Sequence, residues 1–76
     1  MIIGFQMDHV SELNFKTDST LPIIYESQKR KNINYIYHPS KINFEKNKIY
    51  AEANQIKFSS ADYTRYRIGH KKKLPL

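Results

Sequence analysis

The segment DSTLPIIYESQKRKNINYIYHP, Asp18 to Pro39, decides the fold. Its first half has helical spacing. Leu21, Ile24, Tyr25 and Gln28 fall on one face of a 3.6-residue repeat. Asp18 or Ser19 can cap the free N–H groups of the first turn. Pro22 lies in that turn, where its missing N–H costs little. Glu26 and Arg30 stand four apart and can pair, and the run Lys29 to Lys31 suits the negative end of the helix dipole. A helix is predicted over 19–31. Ile33, Tyr35, Ile36 and Tyr37 then form a β-prone run that Pro39 stops.

Upstream, MIIGFQMD opens the chain. Ile2 to Met7 reads as a strand covered on both faces, because its apolar character is almost continuous. Gly4 inside it suggests the close approach of a backbone or a ligand. His9 to Thr17 has neither period, so it reads as loop, pinned by Val10, Leu13 and Phe15. Strand, helix and strand in this length make a βαβ unit, with parallel strands and a right-handed crossover. Downstream, Ile42 and Phe44 share a face, EKNK makes a loop of about four residues, and Ile49, Ala51 and Ala53 share a face again. That is a β-hairpin, with Ile56 and Phe58 extending its second arm. The fold class is therefore α/β, a βαβ unit followed by a hairpin, over 1–58. Residues 59–76 show no firm period and read as a basic loop or linker. The closing LPL reads as the approach to a further apolar element.

A chain of 76 residues is one small domain that buries only about 60% of its unfolded surface. It has no cysteine, hence no disulfide and no thiolate metal site, which fits a reducing cytoplasm. The N-terminus lacks the basic region of a signal peptide, and no run reaches the ~20 apolar residues of a membrane span. The net charge is +6, gathered partly in KRK (29–31) and KKK (71–73). Such a balance suggests an anionic partner. Abundant Asn, Lys, Ile and Tyr are equally explained by an AT-rich genome.

Candidate chemistry is sparse. In open α/β sheets ligands bind beyond the carboxyl ends of the strands, near helix N-termini. That rule gathers Met7, Asp8, Asp18, Ser19 and Thr20 at one cleft edge; the plainer reading makes Asp18 a cap and Asp8 a solvated loop residue. Tyr63, Arg65, Tyr66, Arg67 and Lys71 to Lys73 have the chemistry for RNA stacking and phosphate contact, yet no recognition motif accompanies them. Nucleic acid is the alternative partner and not the expected one. His9, His38 and His70 lack metal-ligand spacing. No nucleophile elbow or Gly-rich phosphate loop is present, so no catalytic residue, metal ligand or cofactor site is assigned within the chain.

GFQMD (4–8), LNFKTDST (13–20) and ESQKR (26–30), in this order and without gaps, resemble the N-terminal domain of the prokaryotic glutathione synthetase family. The hairpin and KKKLPL are similar in kind to the next segments of that domain. Departures are His9 in place of the usual proline, Pro22 in place of alanine, and Lys31 in place of the glycine that ends the helix. The resemblance implies an incomplete, three-layer pre-ATP-grasp domain. It implies a full-length cytoplasmic ligase that joins γ-glutamylcysteine to glycine, with ATP and magnesium, through an acyl phosphate, often as a homo-oligomer. The ATP-grasp domain would lie downstream of Leu76. This chain alone would then be inactive, with an unsatisfied sheet edge, an exposed apolar helix face, and the rest of the enzyme as its partner. A free-standing interaction module of the same descent is the third possibility.

Overall fold

A computed structural model describes residues 1–9, 13 and 18–76. The elements are β1 (Ile2–Gln6), α1 (Thr20–Lys29), β2 (Ile33–Tyr37), a 3-10 turn (Pro39–Lys41), β3 (Ile42–Glu45), β4 (Lys48–Phe58) and β5 (Tyr66–Pro75). β1 and β2 run parallel, Ile2 beside Ile33 through Gln6 beside Tyr37. β2 meets β4 antiparallel at Asn34/Ile56 through Ile36/Asn54. β4 is the long spine of a curled sheet. One of its edges takes β2 and then β3, and the other takes β5 along nearly its whole length. The fold is mixed α/β, as the sequence predicts. The described residues supply two layers, the sheet and α1.

α1 lies on one face. Leu21 and Ile24 are wholly buried there against Ile36, Ile56 and Phe58, with Phe5, Met7 and Leu13 around them. Ser27, also buried, donates from Oγ to Asn34 Oδ1 at 2.6 Å. The helix ends at Lys29, two residues short of the predicted 31. Lys31 N–H reaches Gln28 O and Asn32 N–H reaches Ser27 O, with Lys31 at φ 65°. That is a Schellman stop with lysine in the left-handed position glycine favours.

Three expectations change. β1, at the edge of the sheet, is covered on one face only: Phe5 packs against the core and Ile2 is 54% exposed. The hairpin loop is two residues, Lys46 and Asn47, both at positive φ, with Glu45 paired to Lys48. This tight turn suits the twist of the strands it joins. Residues 66–75 are not linker but β5, paired with β4 from Phe58/Tyr66 to Tyr50/Pro75. A register shift beside Gln55 displaces the alternation of β5 partway along, which hides its period. Gly4 faces the side chains of Tyr37 and Leu74 at ordinary contact distance, not another backbone. Val10 and Phe15 lie outside the described residues.

Candidate functional site

The two parallel strands end together. Met7 N–H donates to Tyr37 O at 2.9 Å and carries the pairing one step past β1. Asp8 and His38 therefore emerge side by side, with His38 Nε2 3.5 Å from Asp8 Oδ1. Ser40 fixes the imidazole from the other side: its N–H donates to His38 Nδ1 at 3.1 Å. Accepting there leaves the ring proton on Nε2, toward Asp8. A cavity of about 110 Å³ opens at this edge, lined by Met7, Asp8, His9, Ile36, Tyr37, His38, Lys41, Glu52 and Asn54. It carries both signs of charge on a partly apolar floor, suited to a small polar or zwitterionic group.

Asp18, Ser19 and Thr20 stand at the start of α1 and do not line this cavity. Asp18 Oδ1 accepts from Thr20 N–H at 2.8 Å and from Leu21 N–H at 3.0 Å. Its carboxylate thus caps the helix, while the Ser19 side chain makes no capping bond. The structure joins Met7 and Asp8 to residues that sequence reasoning missed: His38, Lys41, Glu52 and Asn54. His38 was within reach, since the rule that singles out the carboxyl end of β1 applies equally to β2. Glu52 and Asn54 come from the antiparallel pairing of β4, whose register no local pattern shows.

Tyr63 and Tyr66 are partly buried against the core. Both meet Phe58 edge-on, at centroid distances of 5.5 and 6.2 Å, and Tyr63 also meets Tyr25. In the KKK run, Lys72 lies over the Tyr35 ring and Lys73 bonds Glu45 at 2.8 Å.

Compared with known families, residues 1–76 match the prokaryotic glutathione synthetase N-terminal domain over their whole length. The chain belongs to this family. It is also similar to a glutathione synthetase of Agrobacterium fabrum (strain C58 / ATCC 33970), 39% identical over 54 residues, or 71% of this chain and 17% of the relative. The chain thus spans about a sixth of that relative's length.

As a glutathione synthetase N-terminal domain, the chain places Met7 and Asp8 in the strand-edge cavity and Asp18, Ser19 and Thr20 at the helix start. Among the described residues no three His, Cys, Asp or Glu side chains gather as metal ligands. Its two glycines, Gly4 and Gly69, both lie within strands and make no phosphate loop. The described residues do not fit an ATP–magnesium site. Among the described residues no helix is long and apolar enough to cross a membrane.

Proposed function

We propose that this chain is the N-terminal part of a glutathione synthetase, the cytoplasmic ligase that joins γ-glutamylcysteine to glycine with ATP and magnesium. The family match across all 76 residues carries the reading. In it, the chain walls one side of the substrate cleft. Met7 and Asp8 present the strand edge, and Asp18, Ser19 and Thr20 set the helix N-terminus nearby. ATP and magnesium are held by the following domain, so this chain alone does not ligate.

The surface supports a continuing chain. Ile2, Ile33, Ile42, Phe44 and Ile49 are exposed, and strand alternation puts all five on the sheet face opposite α1. Beside β1, a groove of about 570 Å³ holds Ile3, Phe5, Pro22 and Ile23. Large apolar side chains exposed on both faces of the sheet are consistent with a cover. The cover in this reading is the rest of the same protein.

The test is the mass of the native protein, captured from its source cells with an antibody to the N-terminal sequence, followed by a ligation assay. We expect a mass several times 9.1 kDa and ATP hydrolysis that depends on both γ-glutamylcysteine and glycine. A native mass of 9.1 kDa, or a long protein without that activity, would overturn the reading.

A further inference from the structure

The edge of the sheet away from the cleft carries a second feature. Lys57 lies between the buried Ile56 and Phe58, and Arg67 lies between Tyr66 and Ile68, which pack on the same core. Both therefore point away from α1, and they are directly opposite in the β4–β5 register. Ser59 N–H donates to Arg65 O at 2.9 Å, which continues the ladder and puts Arg65 on the same side. Like charges directly opposite across a sheet are destabilising.

Four cations elsewhere are engaged, while Lys31, Lys41, Lys46, Lys48 and Lys71 stand singly without an ion pair among the described residues. Lys29 and Arg30 pair with Glu26, Lys73 with Glu45, and Lys72 covers a tyrosine ring. Lys57, Arg65 and Arg67 have no ion pair among the described residues. With Phe58, Ser59, Thr64 and Tyr66 they line a cavity of about 800 Å³. Lys57 is also a wall of an adjoining cavity of about 300 Å³ that includes Lys31 and Asn34. Asn34 is 1% exposed, and its Nδ2 has no hydrogen-bond partner. No carboxylate lines either cavity. The neighbouring Asp62 turns its Oδ1 to Ser60 and Thr64.

We propose that this edge binds the phosphate groups of a small, multiply charged molecule. Two guanidinium groups offer planar forks that fit phosphate oxygens, and Lys57 adds a point charge across the strand. The anion would relieve the repulsion that the unliganded sheet bears. A local rule broken without a folding gain is what a binding site leaves in a fold. A small ligand is favoured over nucleic acid because Tyr63 packs against the core cluster and Tyr66, which lines the cavity, meets Phe58 edge-on. The inference does not depend on the synthetase reading.

The experiment is thermal unfolding and calorimetric titration of the whole native protein with tripolyphosphate, against sodium chloride at matched ionic strength. The expected result is a saturable rise in Tm with tripolyphosphate, beyond the salt control and larger than in Lys57→Glu, which leaves any ATP site of a following domain intact. Lys57→Glu should raise Tm without the probe, by replacing repulsion with attraction to Arg67, and lose at least tenfold in affinity for it. Arg67→Gln should weaken binding similarly, and Lys46→Glu, in the distant hairpin turn, should leave it within twofold. Equal binding by Lys57→Glu, a response in Lys46→Glu as large as in Arg67→Gln, or tighter binding of a uridine 20-mer than of tripolyphosphate would each overturn the proposal. The last outcome would assign the surface to nucleic acid.

Discussion

The Gln28 side chain completes a strand that is not there. Its Nε2 donates to Phe58 O and its Oε1 accepts from Phe58 N–H, both at 2.7 Å. β2 pairs with β4 only as far as Asn34/Ile56, so the backbone of Phe58 would otherwise lack a neighbour on that edge. One amide thus ties α1 to the end of β4. Gln28→Ala leaves two backbone groups half-buried and unpaired. We expect a loss of about 1–3 kcal/mol in urea unfolding, with Gln28→Glu close behind because its carboxylate cannot donate.

Lys31 stands at φ 65° at the end of the helix. A side chain in that region is strained, and glycine is not. Lys31→Gly should raise stability by about 0.5–1 kcal/mol, measured as a shift in denaturation midpoint with unchanged m. A loss would mean that the lysine stem contributes packing beyond its backbone cost.

These two positions show what the sequence makes legible and what it hides. The helix stop is readable to within two residues, because the basic run and the lost period fall at Lys29 to Lys31 and the helix ends at Lys29. The βαβ unit is readable for a similar reason: each element states its own period locally. The Gln28–Phe58 bridge spans 30 residues and depends on where β4 ends, which no local window contains. β5 is hidden by the register shift beside Gln55, which moves its side chains to the other face midway. The cavity at Asp8 is half legible. The strand ends point to it, but Glu52 and Asn54 enter through the β2–β4 register alone.

Asp62 gives a pH signature. Hydrogen bonds from Ser60 and then Thr64 hold its carboxyl at about 2, below the ordinary 3.8. A depressed acid adds stability that is full above the unfolded value and is lost as pH falls through the folded one. The Ser60–Arg65 turn should therefore loosen between about pH 4 and pH 2, followed through the Thr64 amide resonance. In Asp62→Asn that amide should show no such titration. Because Asp62 is exposed, global stability should change little.

Phe44 is 70% exposed and sits opposite Ile49 on the uncovered sheet face. Phe44→Lys should alter stability by no more than about 0.5 kcal/mol. It should also cut the binding of a hydrophobic dye and any self-association of the 76-residue chain at high concentration. If the dye signal is unchanged, the exposed apolar face is not the sticky surface the geometry describes.

Asp8 and Asp18 separate the two meanings of the motif residues. Asp18 already spends its charge on the N–H groups of Thr20 and Leu21. Asp18→Ala should cost about 1 kcal/mol of stability, and Asp18→Asn, which keeps an accepting oxygen, much less. Asp8 is exposed, lines the strand-edge cavity and faces His38. Asp8→Asn should leave Tm almost unchanged, since an exposed pair of this kind contributes little. In the full-length enzyme of the proposed reading it should lower kcat/KM for γ-glutamylcysteine or glycine at least tenfold, about 1.4 kcal/mol of transition-state binding. Asp18→Asn should change the same ratio less than twofold. The reverse pattern, with activity following Asp18 and indifferent to Asp8, would move the substrate from the strand edge to the helix N-terminus.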